Sequence, residues 1–322
     1  MTSETLSKPL DVVVLGLNIV DVLVRLPREV QVGEKHQVNE LVIQGGAPAG
    51  NAACGLARLG WRTGFATRLG DNALSANARA DLERYGLQPD LFVDTPGAQP
   101  AAAVVQIDPA DGERTVFYSL EGYLPLEPDE VPVQAIQNAR LLLTDGYEPE
   151  VGLCGLEAAC EAGVSSVLDI EAGDPAVMSR MIELGTDCIL PLIAAQQLSG
   201  EDEPDAAMRH LAEWTDAQLV VTDGTHGSWA LTPEGVIHQP PFLVDAVDTT
   251  GCGDSFHAGY ASALLDGLSL VLRLEMAALV AARVATQLGG RTALPTREEL
   301  AESDLSKASP ILLNHLRNTC HA

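Results

Sequence analysis

Short β-branched runs alternate with helical patterns along almost the whole chain, and this alternation constrains the fold more than any other feature of the sequence. The segments "DVVVLG" (11–16), "RTGFATRLG" (62–70), "LLLTDG" (141–146), "VSSVLDI" (164–170), "DCILPL" (187–192) and "AQLVVTDG" (217–224) read as strands. The apolar spacing predicts helices at 49–60, 73–85, 150–162, 174–184, 204–214, 252–267 and 271–288. This order of elements specifies an α/β fold, a central and mostly parallel sheet flanked by helices on both faces.

Two regions depart from the alternation. Residues 21–43, "DVLVRLPREVQVGEKHQVNELVI", and 101–118, "AAAVVQIDPADGERTVFY", have period-two character, the second around the turn signal "DPADGE". They predict paired strands outside the main sheet, a small antiparallel flap that serves as a β lid or a dimer surface. No repeat, low-complexity block or long linker is present, so residues 10–318 are expected to form one domain with the lid as an excursion.

Composition narrows the partners. With 19 basic against 45 acidic residues the net charge is −26, which repels nucleic acid and anionic membrane and favours solubility. The six cysteines are scattered, with no C-x-x-C pair and no histidine at zinc-ligand spacing, as expected of thiols in a reducing compartment. The start "MTSETLSKPL" lacks the basic and apolar regions of a signal peptide, and no window is apolar for the length of a bilayer. A cytoplasmic protein is expected.

The stretch "DTTGCGDSF" (248–256) carries the most chemistry. Glycines at 251 and 253 let the backbone turn tightly and present successive N–H groups as an anion nest, and the helix that follows adds its positive end. Asp254 in such a place either caps the helix or faces a second reactant, taking a proton from a hydroxyl that attacks a bound phosphate. A second glycine-rich turn, "GGAPAGNAA" (45–53), fails the dinucleotide pattern because position 47 is Ala. No P-loop is present, and lysines occur only at Lys8, Lys35 and Lys307. "VVTDGTHGSWAL" (220–231) reads as strand, turn and strand, with Gly224 and Gly227 leaving room for a flat group.

Taken in order, "GGAPAGNAACGLARLG", "VTDGTHGSWAL" and "VDTTGCGDSFHAGY" resemble the two signature regions and the nucleotide-site turn of the PfkB family, the ribokinase-like sugar kinases. The resemblance runs from "VVVLGLNIVD" to "GGRTALPTREEL" and implies a ribokinase-like fold. It implies Asp254 as catalytic base and Gly251, Cys252 and Gly253 as the anion hole. It further implies Asp21, Gly45, Gly46 and Asn51 on the acceptor sugar, and Thr222, Gly224, Gly227 and Thr250 on the nucleotide side. Asp248, with the segment around Gly289, matches a monovalent-cation loop. The cofactors implied are ATP and Mg²⁺, with K⁺ as a further candidate, and the assembly implied is a homodimer.

The departures are equally specific. Pro191 and Ala194 stand where the family's N-x-x-E motif, which organises Mg²⁺ and phosphate, places Asn and Glu, so Mg²⁺ is expected to be held mainly by ATP and water. Ala293 stands where a hydroxyl reaches the monovalent cation in some relatives. Lys35 occupies a position where some relatives place a cation against an anionic acceptor and others a packing residue, while Gly146-Tyr147 replaces the Arg of a sulfosugar site. Arg114 and Arg291 are the other candidates for a cationic cluster. Three readings stay open: a kinase acting on a primary hydroxyl of a small sugar, a kinase for a nucleoside or anionic sugar, and a non-catalytic sugar-binding relative. His257 is expected to be packed or hydrogen-bonded, and Cys252 is expected to be a filler in the place of an alanine, although a helix start can lower a thiol's pKa.

Overall fold

The computed structural model describes residues 9–110, 112–302 and 308–320. Lys8, Lys307, Asp111 of the flap and the stretch 303–307 of the expected domain lie outside the described residues.

The chain begins with β1 (Val12–Leu15), β2 (Ile19–Arg25), β3 (Leu41–Gly46), α1 (Pro48–Arg58), β4 (Thr63–Leu69), α2 (Ala73–Arg84), β5 (Phe92–Asp94), β6 (Ala101–Ile107) and β7 (Arg114–Ser119). It continues with α3 (Val133–Asn138), β8 (Leu141–Asp145), α4 (Pro149–Ala162), β9 (Ser165–Asp169), α5 (Pro175–Leu184), β10 (Asp187–Pro191), α6 (Leu192–Ser199) and α7 (Pro204–Leu211). The last part holds β11 (Gln218–Thr222), β12 (Ser228–Thr232), β13 (Gly235–Gln239), α8 (Cys252–Leu265), α9 (Leu270–Val284), α10 (Arg297–Ala301) and α11 (Pro310–Thr319). Nine strands form the main sheet in the order β13-β12-β11-β10-β9-β8-β1-β4-β5. All neighbours from β11 to β5 run parallel, while β12 and β13 turn back antiparallel at one edge.

Both faces of this sheet are covered, which is why β1 is four buried aliphatics in a row. Val12 and Val14 point to a layer with Leu56, Phe256, Tyr260 and Leu274, from α1, α8 and α9. Val13 and Leu15 point to the opposite layer with Ile136, Leu156, Met181 and Met208, from α3, α4, α5 and α7. Helix ends follow local chemistry. Asn72 accepts from Ser75 N to open α2, Asp174 accepts from two N–H groups to open α5, and Gly163 closes α4 in the left-handed region.

The second sheet has four strands, in the order β3-β2-β6-β7. It differs from the expected antiparallel flap in one respect, since β2 and β6 pair in parallel. Both strands follow parallel strands of the main sheet, β1 and β5, in the chain, so they leave it in the same sense. The period-two pattern of 21–43 also breaks, because residues 26–40 form a loop between β2 and β3, and Gly45 and Gly46 end β3 instead of forming a turn. Side chains alternate as strands require: Ala103, Val105 and Ile107 face inward, while Val104, Phe117, Leu41 and Ile43 are exposed.

Candidate active site

A cavity of about 1070 Å³ opens at the carboxyl ends of the parallel strands, the usual ligand position of such sheets. The small sheet forms one wall through Asp21, Val105, Arg114, Val116 and Tyr118, and the start of α8 another. The acceptor-side and nucleotide-side positions thus share one continuous space: Asp21 and Asn51 line it together with Thr222, Gly224, Gly227 and Thr250.

Each glycine of the central turn has its own reason. Gly251 has φ +76°, and a Cβ there would come within 2.5 Å of Gly290 Cα, so the turn packs tightly on the 289–290 loop. At Gly253 a Cβ would meet nothing within 4 Å, which leaves open space at the helix start. Asp254 is in the first turn of α8, whose N-cap is Gly251, and it does not cap the helix. Its Oδ2 instead accepts from Asn51 Nδ2 at 2.6 Å, which joins the two glycine-rich segments.

Cys252 is a filler of the turn and not an activated thiol. Burial pushes its thiol up to about 12, so desolvation outweighs the helix end and the group stays protonated and inert. Asp248 is fully buried, and its two oxygens accept from Thr250 N at 2.8 Å and Gly289 N at 2.7 Å. That carboxylate staples the glycine turn to the neighbouring loop.

On the acceptor side, Asp21 is buried beneath Gly46, where a Cβ would sit 2.0 Å from its Oδ2. Burial raises its pKa to about 6. Asp145 behaves similarly, raised by burial to about 6 although Leu17 N, Ala49 N and Tyr147 N all donate to it. On the nucleotide side, Gly227 has φ +96°, and a Cβ would meet Gln239 O at 2.3 Å, whereas Gly224 faces open space.

Several site residues had no role in the sequence reading. Carboxylate oxygens of Asp169, Glu171 and Asp254 come within 4.8 Å of one another. Asp169 is buried with both oxygens lacking a hydrogen-bond partner, and burial together with Glu171 holds its pKa well above the carboxylate range. Burial lifts Glu171 to about 7, and the hydroxyl of Tyr147 lies 3.2 Å from its Oε2. His257 Nδ1 lies 3.2 Å from Asp169 Oδ2, but its hydrogen is directed to Gly253 O at 2.9 Å. Burial lowers the histidine pKa, so the ring is a neutral packed group, as expected.

Pro191 ends β10 and lines the cavity, whereas Ala194 is buried in the core beneath it. Lys35 is exposed in the 26–40 loop, away from the cavity wall, and among the described residues Arg114 is the one Arg or Lys on that wall. Arg291 is wholly buried behind Asn51, with Nε 2.8 Å from Asn51 Oδ1.

Amides at a helix start suit a phosphate, although the N–H of Cys252 also donates to Thr249 O at 3.3 Å, and a carboxylate three residues into the same segment suits a hydroxyl. Their union at one end of a parallel sheet defines a small-molecule kinase. Residues 10–297 match the family described as pfkB family carbohydrate kinase, so the chain belongs to that family of sugar kinases. An ATP-dependent ribose-1-phosphate kinase of Halopiger xanaduensis is 29% identical, over 87% of this chain and 93% of that protein. A fructokinase of Klebsiella pneumoniae is 31% identical, over 80% and 91%. Among solved structures, Arabidopsis thaliana ribokinase complexed with ribose and ATP superposes with a TM-score of 0.79 at 22% identity, covering 94% of this chain and all of that one.

Proposed function

We propose that the chain transfers the γ-phosphate of ATP to a primary hydroxyl of a small neutral sugar, with Asp254 as general base. The observation that carries this reading is the Asn51–Asp254 contact beside the glycine turn, which unites acceptor and phosphate positions. Asp254 takes the hydroxyl proton as the acceptor oxygen bonds to the γ-phosphorus; the bond from phosphorus to the β-bridging oxygen breaks and ADP leaves. The N–H groups of Gly251, Cys252 and Gly253, with the positive end of α8, stabilise the transferred group. Arg114 enters from the small sheet as a cation for the same charge. Thr222, Gly224, Gly227 and Thr250 receive the nucleotide.

The acceptor lies against Asp21, Gly45, Gly46 and Asn51. Asp21, Glu171 and Asp254 line this end of the cavity and Arg114 is the Arg or Lys on its wall among the described residues, a balance that favours a neutral polyol over an anionic sugar. A second reading, a riboside, is favoured by the tyrosines 118, 123 and 147 on the same wall, which give a planar substituent a surface to stack on.

Mg²⁺ fits the residues present, since Asp169 offers two buried oxygens without partners within reach of Glu171 and Asp254. Asp169 and Glu171 would hold it, and it would offset the negative charge of the phosphates. Potassium fits less well, because both Asp248 oxygens already accept backbone N–H groups and Ala293 has no hydroxyl, so no step is routed through it.

The small sheet acts as a lid that excludes water, and its exposed outer residues Leu41, Ile43, Val104 and Phe117 pair two copies into a homodimer. Among the described residues no helix is long and apolar enough to cross a membrane.

The test is ADP release from ATP across ribose, fructose, their deoxy analogues, a ribonucleoside and a sugar phosphate. A neutral sugar should give the highest kcat/KM, and the absence of ADP release with every acceptor would refute the reading.

A further inference from the structure

Arg291 carries its charge with 0% exposure, one layer behind the cavity wall. Three of its groups are engaged: Nε donates to Asn51 Oδ1 at 2.8 Å, Nη1 to Asp81 Oδ2 at 2.8 Å, and Nη2 to Gly46 O at 2.9 Å. Asp81 Oδ2 in turn accepts from Gly45 N at 2.9 Å. Glycines make room for the guanidinium, for a Cβ at Gly45 would lie 1.9 Å from Nη1 and one at Gly50 2.6 Å from Nη2.

The chemistry of the chain from Arg291 to Asp254 leaves one solution. A guanidinium only donates and an ionised carboxylate only accepts, so an asparagine between them must turn its oxygen to the arginine and its NH₂ to the aspartate. Asn51 does so, with Nδ2 2.6 Å from Asp254 Oδ2. Without the guanidinium the amide is free to flip and set its oxygen against the carboxylate, which replaces a hydrogen bond with a repulsion.

We propose that Arg291 is a positioning residue for phosphoryl transfer. By fixing the amide of Asn51 it keeps a hydrogen bond on Oδ2 of Asp254 and leaves Oδ1 to take the acceptor's proton. The inference rests on the reading of Asp254 as base and adds what holds that base in register.

Arg291→Lys retains the charge but cannot fork across three acceptors. It should lower kcat about 10- to 100-fold with the acceptor KM within about threefold, the split expected when an interaction matters in the transition state. In an Asn51→Ala background the same substitution should cost less than about threefold, because the route is already cut. A raised KM at unchanged kcat, or additive effects in the two backgrounds, would show that Arg291 only supports the end of β3 and would overturn the proposal. Should Arg291→Lys not fold, Asn51→Asp asks the same question, since it leaves Arg291 its acceptor and removes the donor to Asp254; turnover near wild type would again overturn it. Asp254→Asn separates the two failures. An active Asp254→Asn removes the base and the proposal with it, whereas an inactive one beside an unaffected Arg291→Lys overturns the positioning role alone.

Discussion

The backbone oxygen of Gly112 accepts hydrogen bonds from both the N–H and the Oγ1 hydroxyl of Thr249, each at 3.3 Å. Gly112 lies between β6 and β7, and Thr249 stands two residues before Gly251, so the tip of the small sheet rests on the loop that leads into the glycine turn. A Cβ at Gly112 would lie 3.2 Å from Val247 O, and φ there is +77°, so glycine is what permits the approach. Movement of this hairpin is thereby tied to the shape of the anion turn.

Arg114 shares the contact, its Nη1 lying 3.4 Å from Thr249 Oγ1. Arg114→Ala should lower kcat by about 10²-fold, the usual loss when one donor to developing charge is removed, and Arg114→Lys should recover part of it. Steady-state kinetics in ATP and acceptor decide the matter. An unchanged kcat with weaker acceptor binding would assign the guanidinium to the acceptor instead.

Asp254→Asn preserves shape and the contact region of Asn51 while removing the proton acceptor. Turnover should fall by about two to four powers of ten, with ATP affinity nearly intact in an equilibrium binding assay. A variant within a few-fold of wild type would eliminate Asp254 as the base.

The Asp169, Glu171 and Asp254 cluster makes a prediction that needs no turnover. Mn²⁺ should bind the nucleotide-free enzyme, detected by its electron paramagnetic resonance signal, and Mg²⁺ should compete. Glu171→Gln should weaken that binding by about tenfold or more. Equal affinity in the variant, or binding only when ATP is present, would leave the metal to the nucleotide and water.

Buried carboxyls should make stability fall as pH rises. Burial raises Glu148 from 4.5 to about 8, Glu171 from 4.5 to about 7, and Asp21 and Asp145 from 3.8 to about 6. Between each pair of values the folded chain holds a proton that the unfolded chain has lost. The contribution is therefore complete below the unfolded pKa and disappears as pH passes the folded one. Glu148 spans the widest window; it bonds Tyr123 through Oε1, and its Oε2 is buried without a partner. Urea unfolding at pH 5, 6.5 and 8 should show declining stability, with Glu148→Gln removing a slope of about 1.4 kcal/mol per pH unit. Stability that rises over this range, or an unaltered slope in the variant, would contradict the assignment.

Much of this architecture was legible because local patterns carry it. The strand read at 141–146 is Leu141–Asp145, and the helix read at 73–85 is Ala73–Arg84, since buried parallel strands and amphipathic helices each leave a periodic mark. The two glycine-rich segments also announced themselves, but the hydrogen bond that joins them spans 203 residues and leaves no local trace. Arg291 was visible as a cation and not as a buried tie, because its partner Asn51 is 240 positions away. Asp169 read as the end of a strand, with Glu171 just beyond it. Their significance depends on β9 pairing beside β10, with Asp169 opposite Ile189. At Cys252 the helix start alone would lower the thiol pKa, and the packed surroundings set the opposite sign.

Gly45, Gly50 and Arg291 have a consequence for how this lineage can change. Since a methyl group at either glycine would overlap the guanidinium, neither can drift to alanine while the arginine stands. Once the arginine is replaced by a small residue, both positions are released to vary, and an alanine acquired there blocks the arginine's return. The order of substitution is thus directional, a ratchet written in three positions. Homologues should divide into two groups, one with glycine at both sites and arginine opposite, the other with side chains at these sites and a short residue opposite.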